Sequence, residues 1–466
     1  MEIHILGICG TFMGGIALLA KESGVEVSGC DENVYPPMST LLESNGITLK
    51  QGFNTEHLTE FTSGDISKGS QLIVGNVMSR GMDIVEHTLN KNLNYTSGPQ
   101  WLYENILKDK WVLAVSGTHG KTTTASILTW ILEYAGLNPG FLIGGVPDNF
   151  GVSARLSDSA FFVVEADEYD TAFFDKRSKF VHYHPRTLVI NNLEYDHADI
   201  FPDLDAIKTQ FHHLMRMLPG EGMVIVNADE PNINDVLNKG CWSKQESFSS
   251  MPKAVDNTSG WSVNYLKKDG SEFEVLLDGE LLGKVKWGLI GRHNVSNALA
   301  AIAAARHAGV PVKHAIGALP SFKGIKRRME LRGEVNGIRV YDDFAHHPTA
   351  IETTLKGLRA NVADDKIVAI LEPRSNTMRL GVHKESLAAS LEIADEVMLF
   401  QPQGLDWNIG DVLDALGKKA KLFDDIDSLI DSIVANAEKG DQLLVMSNGG
   451  FAGIHEKLLS ELKKIN

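Results

Sequence analysis

The chain lacks several features that mark whole classes of protein. It has only 3 cysteines in 466 residues, and Cys9, Cys30 and Cys241 show no metal-ligand spacing such as C-x-x-C. Such cysteine usage suits a reducing compartment. No stretch of about 18 apolar residues occurs, and the N-terminus reads as a strand rather than a signal peptide. We therefore expect a cytoplasmic protein with no membrane partner.

An excess of positive charge is also absent. The formal net charge is −16, whereas a nucleic-acid partner requires a basic face that neutralises phosphates. Nucleic acid is therefore not an expected partner, although a nucleotide can still bind at a locally positive site. Hydrophobic residues make up 43% and charged residues 22%, which is a globular composition. The length suits about three domains, and no repeats or low-complexity tracts occur.

Short apolar, β-branched runs alternate with helical patterns, which predicts an α/β fold with parallel sheets. Three such systems follow one another. We predict a Rossmann-like domain at 1–108, a central P-loop ATPase-like domain at 109–325 and a second Rossmann-like domain at 326–466. Polar and apolar residues alternate around two Asp-Gly pairs in 262–288, so the central domain should contain an antiparallel excursion.

The first glycine loop departs from the dinucleotide-binding pattern. In "HILGICGTFMGGIA" the glycines are Gly7, Gly10 and Gly14, and Cys9 and Phe12 occupy places where G-x-G-x-x-G would suggest glycine. A dehydrogenase is therefore a weak alternative.

A phosphate-binding loop is the strongest chemical signal. "AVSGTHGKTTTASIL" (114–128) runs from a strand through a glycine-rich turn into a helix, although Val115 replaces the first glycine of the usual motif. Backbone N–H groups, the helix start and one lysine would bind phosphates there. The residues concerned are Gly117, Thr118, His119, Gly120, Lys121, Thr122 and Thr123.

Acidic residues follow two predicted strands. "VVEADEYD" supplies Glu165 and Asp167, and "NNLEYDHADIF" supplies Asp196, His197 and Asp199. The carboxyl ends of parallel strands meet at one edge of a sheet, so these groups would face the phosphate loop and hold Mg²⁺. Histidine is an unusual magnesium ligand, and His197 is alternatively a cap or a core residue.

Together these segments resemble the Mur ligase family, ATP-dependent enzymes that form amide bonds in peptidoglycan precursors. "GTHGKTT", "EADEYD", "NLEYDHAD", "GRHNVSNALAA", "FKGIKRRMEL" and "YDDFAHHPTAI" all match in order. The resemblance implies ATP and Mg²⁺ as cofactors, with Thr122, Glu165 and His197 as metal ligands. It implies catalytic roles for Lys121, Glu165, His197 and Arg328. Further ATP contacts would be His293, Asn294, Asn297, Arg328, Asp343 and His346, with Arg327 a weaker candidate. Asn294 and Asn297 are alternatively helix caps.

The resemblance also gives the first glycine loop a ligand. In the branch that acts on UDP-N-acetylmuramate, the first domain holds the UDP portion of the substrate. Asp31 would contact either the uridine or the loop itself, and a purely structural loop is the alternative. The implied UDP-sugar residues are Gly7, Cys9, Gly10, Thr11, Phe12, Met13, Gly14, Asp31, Asn76 and Arg80.

Within the family, "GICGTFMGG" and "LEPRSNTMRLG" are similar to the branch that joins L-Ala-γ-D-Glu-meso-diaminopimelate to UDP-N-acetylmuramate in peptidoglycan recycling. The alternative branch adds L-alanine instead. Arg374 would pair with a peptide carboxylate, and Ser375, Asn376 and Thr377 would contact peptide amides. A surface loop with Arg374 in a structural salt bridge is the other interpretation.

The implied chemistry is phosphorylation of a carboxylate by ATP, followed by attack of the peptide amine on the acyl phosphate. Domain closure would then use hinges near 108 and 325. Lys208 is the nearest lysine for the carbamylation seen in some branches, but its spacing from His197 is short. We expect a monomer or weak oligomer. A non-catalytic nucleotide sensor on the same fold is the alternative of another class.

Overall fold

The computed structural model describes residues 2–61, 70–251, 260–402, 404, 405 and 407–464. Three large sheets lie in succession along the chain, at residues 2–97, 111–286 and 330–446. Each sheet falls inside one of the three predicted ranges, and parallel pairing predominates. The α/β prediction is confirmed, whereas the boundary residues remain predictions.

The first sheet is parallel throughout, in the order β3-β2-β1-β4-β5. Its strands are β1 (Glu2–Leu6), β2 (Glu26–Asp31), β3 (Thr48–Gln51), β4 (Gln71–Val74) and β5 (Tyr95–Ser97). The helices are α1 (Thr11–Glu22), α2 (Met38–Ser44), α3 (Asp83–Asn90) and α4 (Gly98–Leu102), with a 3₁₀ helix at Thr55–Phe61 and a π-helical turn at Tyr103–Leu107.

The central sheet has the order β17-β16-β15-β14-β13-β12-β6-β9-β7-β8. Its strands are β6 (Trp111–Ser116), β7 (Gly140–Leu142), β8 (Ala154–Arg155), β9 (Phe161–Glu165), β12 (Thr187–Ile190), β13 (Met223–Asn227), β14 (Lys244–Phe248), β15 (Trp261–Tyr265), β16 (Glu272–Leu277) and β17 (Glu280–Lys286), and a separate hairpin pairs β10 (Asp170–Ala172) with β11 (Asp175–Ser178). The helices are α5 (Lys121–Tyr134), α6 (Leu204–Met215), α7 (Pro231–Asn238), α8 (Arg292–His307) and α9 (Val312–Ala318), with 3₁₀ helices at Lys179–His182 and Leu319–Ser321.

The predicted antiparallel excursion is present as β15, β16 and β17. The Asp278–Gly279 pair forms a two-residue turn between the last two strands, with φ of +50° and +82°. Both residues adopt the left-handed conformation that this hairpin turn requires, which explains the Asp-Gly sequence.

The third sheet has the order β18-β19-β23-β20-β21-β22 and is parallel except for β18. Its strands are β18 (Glu330–Val335), β19 (Ile338–Asp343), β20 (Ile367–Leu371), β21 (Glu396–Phe400), β22 (Ala420–Phe423) and β23 (Gln442–Met446). The helices are α10 (Pro348–Val362), α11 (Asn376–Arg379), α12 (Lys384–Ser390), α13 (Gly410–Leu416), α14 (Ile426–Asn436) and α15 (Ile454–Leu462), with 3₁₀ helices at Gly417–Lys419 and Phe451–Gly453.

The packing distinguishes the two predicted hinges. The first and central sheets share one hydrophobic core, in which Ile16 and Trp101 join Leu142 and Phe162. The third sheet has its own cores on its two faces. Movement near residue 108 would break apolar packing, so the junction near 325 is the better hinge candidate.

The order of the central strands creates the site. β12, β6 and β9 are adjacent and parallel, so their carboxyl ends lie side by side. The phosphate loop follows β6, Glu165 ends β9, and residues 191–199 follow β12. Within the described part of the chain, no helix is both long and apolar enough to cross a lipid bilayer.

Candidate active site

A cavity of about 1830 Å³ lies where the three sheets meet. It is lined by the first glycine loop, the phosphate loop, the ends of β9 and β12, the start of α8 and four segments of the third domain, near residues 328, 345, 375 and 449. Of the site residues predicted from the sequence, all line this cavity except Gly14, Gly117, Arg80 and Asp199. One cavity therefore brings together the groups predicted for three different ligands.

The phosphate loop needs its two glycines. Gly117 has φ +127°, and a Cβ atom there would lie 3.0 Å from the backbone nitrogen of Asn192. Gly120 has φ +78° at the start of α5, and a Cβ atom would lie 2.5 Å from the Asn297 side-chain oxygen. Any larger residue would push the loop away from β12 and α8, so glycine is required for steric and conformational reasons.

Asn192 and Glu194 also shape this loop, and neither was predicted. The backbone N–H of His119 donates to the Asn192 side-chain oxygen at 2.7 Å. The Thr118 hydroxyl accepts from the backbone N–H of Glu194 at 2.9 Å. The sequence could have indicated both residues, because they lie directly after β12 at the carboxyl edge of the sheet.

Lys121 is buried between two carboxylates. Its ammonium lies 2.8 Å from a Glu168 oxygen and 3.6 Å from an Asp167 oxygen. Burial lowers the pKa of Lys121, but these carboxylates outweigh that effect and raise it above its usual value. The lysine is thus cationic and held by acids that phosphates could replace as its counter-ions.

The predicted metal ligands form two neighbouring groups. Thr122 donates to a Glu165 oxygen at 3.0 Å, and Gly144 N–H donates to the other oxygen at 2.7 Å. His197 lies instead beside Glu168, with Nε2 3.3 Å from a carboxylate oxygen. The hydroxyl and carboxylate oxygens of Thr122 and Glu165 fit a hard cation such as Mg²⁺.

His197 is strained and hydrogen-bonded to Glu168 rather than a simple cap. It is not a glycine, yet its φ is +56°, and such strain often accompanies function. Burial lowers the pKa of His197, whereas the hydrogen bond with Glu168 raises it, and the net shift is upward. His197, Asp167 and Glu168 offer ligand atoms within 4.8 Å of one another, so this group is a second candidate position for a cation.

Lys208 does not reach this edge. Its ammonium donates to Asp235 at 2.7 Å and also pairs with Asp205. Because Lys208 is paired with one carboxylate of α6 and one of α7, the structure gives no support to its carbamylation.

The predicted adenine and third-domain residues are buried around the same loop. Asn294 donates to the Ile290 carbonyl at 2.7 Å, and Asn297 accepts from Thr124 at 3.0 Å, so both also have structural roles. Burial lowers the pKa of His293 and of His346 to about 4, which keeps both neutral near pH 7. Asp343 accepts two backbone N–H bonds, and burial raises its pKa.

The two arginines before β18 differ in their contacts. Arg328 donates to the Thr122 hydroxyl at 3.4 Å and so reaches the phosphate loop. Arg327 donates to the carbonyls of Ser447 and Gly449 at 2.7 and 2.6 Å. These contacts favour Arg328 over Arg327 as the nucleotide contact.

The third domain is fixed over the phosphate loop by polar contacts. Thr377 donates to Asp196 at 2.7 Å, and Asn376 donates to Asp199 at 3.0 Å. Thr349 donates to Glu194 at 2.7 Å. In this arrangement Asn376 and Thr377 are engaged across the domain interface, so their predicted contacts with peptide amides require those bonds to open.

Arg374 and Ser375 behave differently. Ser375 accepts from the Met378 N–H at 3.3 Å and caps α11. Arg374 is exposed on the cavity wall against Gly449, and the described residues offer it no salt bridge. The alternative in which Arg374 forms a structural ion pair therefore has no support.

At the far end of the cavity, the first glycine loop is held in place by Asp31. Cys9 N–H donates to Asp31 at 2.9 Å, and Asn33 N–H donates to the other Asp31 oxygen, so Asp31 serves the loop. Burial raises the pKa of the Cys9 thiol to about 11, so it stays neutral. The unpredicted Tyr35 and Met38, which follow β2, also line this end.

Two predicted UDP-sugar residues lie outside the cavity. Arg80 pairs with Glu86 on the surface, at 2.8 and 3.2 Å. Gly14 packs against Met38 within α1, where a Cβ atom would lie 2.7 Å from the sulfur. Gly14 permits close packing of the helix, and Arg80 has no support as a ligand contact.

Three α/β domains around one phosphate loop define a class of nucleotide-dependent proteins, and comparison with known proteins specifies the family. The Mur ligase family catalytic domain matches residues 2–110, the Mur ligase middle domain matches 115–305, and the Mur ligase glutamate ligase domain matches 327–449. The chain belongs to the Mur ligase family.

Individual relatives separate the two branches. The chain is 57% identical to the UDP-N-acetylmuramate–L-alanyl-gamma-D-glutamyl-meso-2,6-diaminoheptandioate ligase of Escherichia coli K12, over 100% of the chain and 99% of that relative. Identity to the UDP-N-acetylmuramate–L-alanine ligase of Caldanaerobacter subterraneus is 31%, over 99% and 98%. The solved murein peptide ligase of Psychrobacter arcticus is 48% identical, with a TM-score of 0.76 over 100% and 99% of the two chains. The prediction of a ligase is confirmed over a dehydrogenase or a sensor, and the tripeptide branch is favoured over the alanine branch.

Proposed function

We propose that the protein is an ATP- and Mg²⁺-dependent ligase that joins L-Ala-γ-D-Glu-meso-diaminopimelate to UDP-N-acetylmuramate, in peptidoglycan recycling. The observation that carries this proposal is that one cavity connects the glycine loop, the phosphate loop and Arg374. The full-length likeness to tripeptide ligases supports the choice of amine substrate.

The reaction would proceed in two balanced steps. A lactyl carboxylate oxygen attacks the γ-phosphorus of ATP, so that an O–P bond forms and the bond to the β-phosphate oxygen breaks, releasing ADP. The neutral amine nitrogen of the peptide then attacks the acyl carbon. The tetrahedral intermediate expels phosphate, which takes up the nitrogen's proton, and an amide bond remains.

The residues would act mainly by position and charge. Lys121 would leave Glu168 and bind the γ-phosphate oxygens, and Arg328 would approach from the third domain. Thr122 and Glu165 would hold Mg²⁺. His197 would belong to the neighbouring group that it forms with Asp167 and Glu168. The bound Mg²⁺ would neutralise phosphate charge during transfer.

The substrates would enter from opposite ends of the cavity. The first turn of α1, with the backbone N–H groups of residues 11–13, would receive the diphosphate of the UDP-sugar. Arg374 would pair with a carboxylate of the peptide on the other side. The amine then meets the acyl phosphate at the edge formed by β6, β9 and β12.

Phosphate release distinguishes the substrates. With ATP, Mg²⁺ and UDP-N-acetylmuramate, we expect turnover with the tripeptide and almost none with L-alanine. Turnover with L-alanine alone would assign the protein to the other branch, and no turnover with either would contradict the proposal.

A further inference from the structure

Lys179 lies where the first domain meets the catalytic edge of the central sheet. It follows β11, and its side chain is only 9% exposed. The ammonium nitrogen is 5.3 Å from the centre of the Phe12 ring and 5.5 Å from that of Tyr169. Phe12 belongs to the first glycine loop, and Tyr169 packs on His197 at 4.2 Å. The lysine thus spans the two predicted subsites.

The segment that carries Lys179 is firmly held. The β10–β11 hairpin inserts Ala172 into a core of the first domain, beside Val74 and Met78. Phe174 packs edge-on against Tyr95, with ring centres 5.0 Å apart. The backbone N–H of Lys179 donates to the Tyr169 carbonyl at 2.9 Å. The hairpin therefore fixes this lysine relative to the glycine loop.

The ammonium of Lys179 has few partners for a buried charge. It can donate three hydrogen bonds, and the acceptor that the described residues give it is one Asp167 oxygen at 3.4 Å. Lys121 nearby has Glu168 at 2.8 Å as well as Asp167. A buried cation normally has full compensation, and Lys179 also lines the cavity. An anionic ligand would supply the missing partner.

The position of Lys179 restricts which anion that is, given the proposed function on which this step rests. In the proposed function the glycine loop binds the diphosphate of the UDP-sugar, and Lys121 and Arg328 bind the γ-phosphate of ATP. The lactyl carboxylate must lie between them, because it attacks the γ-phosphorus. We propose that Lys179 binds the lactyl carboxylate of UDP-N-acetylmuramate and directs one oxygen toward the γ-phosphate.

This contact would have two effects. The positive charge would reduce the repulsion between the carboxylate and the phosphates as they approach. It would also select the acid over UDP-N-acetylglucosamine, which has the same nucleotide and sugar but no lactyl group. In this role Lys179 positions the carboxylate and transfers no proton.

Binding of these two UDP-sugars tests the proposal. Calorimetric titrations would use the full chain with Mg²⁺ and a non-hydrolysable ATP analogue. We expect the unaltered protein to prefer UDP-N-acetylmuramate by at least tenfold. In Lys179→Met the affinity for that ligand should fall about tenfold to a hundredfold, while the affinity for UDP-N-acetylglucosamine stays within twofold. Lys179→Arg should keep most of the preference, because it keeps the charge.

Lys176 supplies the matched control. It lies on the same hairpin, is 69% exposed and pairs with Asp170 at 2.6 Å, outside the cavity lining. Lys176→Met should therefore bind both UDP-sugars like the unaltered protein.

Three results would overturn the assignment of Lys179. They are an unaltered protein without a preference, a Lys179→Met variant that keeps the full preference, and a variant that loses both ligands equally, which would indicate a structural role. If Lys179→Met does not fold, loss of the preference in folded Lys179→Arg has the same force. Failure of the proposed function appears separately, as an unaltered protein that binds the muramate but never turns over with the tripeptide.

Discussion

The ammonium nitrogen of Lys121 lies 2.8 Å from a carboxylate oxygen of Glu168, and both side chains are almost fully buried. Glu168 also holds Nε2 of His197 at 3.3 Å. One carboxylate therefore orients the phosphate-loop lysine and the histidine of the acidic edge. Phosphates that enter the loop must compete with Glu168 for Lys121.

Glu168→Gln tests this relationship. Removing one partner of a buried ion pair leaves the other charge uncompensated. We expect the free energy of unfolding without ATP to fall by about 3 kcal/mol, the lower end for such pairs, because Asp167 remains. A non-hydrolysable ATP analogue should restore more stability to the variant than to the unaltered protein, because its phosphates replace the lost carboxylate.

Glu133→Gln is the control for that measurement, made by chemical denaturation. Glu133 pairs with Arg155 at 2.6 Å at a partly exposed site away from the cavity. Its loss should cost at most about 1 kcal/mol, with an ordinary response to the nucleotide. Equal stabilisation of all three proteins by the analogue would contradict the competition between Glu168 and phosphate.

Gly120→Ala should weaken nucleotide binding for a steric reason. The new Cβ atom would lie 2.5 Å from the Asn297 side-chain oxygen. Gly136 has the same φ of +78°, at the end of α5, but nothing lies within 4 Å of a Cβ atom there. Both substitutions strain the backbone by about 1 kcal/mol. Calorimetry with an ATP analogue should show at least a tenfold loss for Gly120→Ala and less than twofold for Gly136→Ala. Similar losses of affinity in the two variants would mean that backbone strain, and not the clash with Asn297, weakens nucleotide binding.

Arg374→Ala should raise the KM for the tripeptide. The exposed guanidinium has no salt bridge among the described residues, so a peptide carboxylate would be its ionic partner. Losing a charged hydrogen bond should raise the KM for the tripeptide about tenfold or more. The KM values for ATP and UDP-N-acetylmuramate should stay unchanged. Steady-state kinetics in each substrate checks this, and an unchanged tripeptide KM would remove Arg374 from the peptide site.

Arg80→Ala is the matched arginine control and tests a sequence prediction. Arg80 was expected to contact the UDP-sugar, yet it pairs with Glu86 on the surface. We expect the KM for UDP-N-acetylmuramate to change less than twofold. A clear rise would restore the sequence-based role and show that this surface closes over the substrate.

Glu230 should make stability depend on pH. Burial, helped by the carboxylates of Glu194 and Asp229, raises its pKa from 4.5 to about 7. Protonated Glu230 thus favours the folded state below pH 4.5, and this contribution is lost as the pH rises through 7. Glu230→Gln does not titrate, so its stability advantage should grow between pH 4.5 and 7 and then level off.

At pH 8 the free energy of unfolding of Glu230→Gln should exceed that of the unaltered protein by about 1 kcal/mol. This is less than the full linkage value because the carboxyl is partly exposed to solvent. Denaturation across this pH range measures it. Exposed Glu221, at the other end of β13, supplies the control variant Glu221→Gln, which should show no such trend. An unaltered protein as stable as Glu230→Gln at pH 8 would contradict the raised pKa.

The sequence was most informative where local geometry dictates residue type. Gly120 and Lys121 could be placed because a phosphate loop constrains neighbouring residues. The Asp278–Gly279 pair predicted the antiparallel strands because a two-residue hairpin turn also restricts the residue types at its positions. Glu165 could be placed because parallel strands end at a common edge.

Contacts between distant residues were less accessible. Glu168 meets Lys121 only because β9 and β6 are neighbours, and no local pattern states that order. The short β10–β11 hairpin was missed, and Lys179 with it, because three- and four-residue strands carry little periodicity. Arg80 was grouped with the loop, but its side chain pairs with Glu86 instead, since sequence proximity to Asn76 does not fix the direction of a side chain. Asn376 and Thr377 face acids of another domain, which a single-domain pattern cannot show.

The central claim is that a muramate carboxylate attacks ATP before the peptide amine attacks the carboxylate carbon. Its most direct test uses UDP-N-acetylmuramate labelled with ¹⁸O in both carboxylate oxygens, with ATP, Mg²⁺ and the tripeptide, and mass spectrometry of the phosphate released. We predict that each phosphate carries one ¹⁸O atom and that the amide product keeps the other. Unlabelled phosphate, released at the rate of product formation, would contradict the acyl-phosphate route and with it the roles proposed for this cavity.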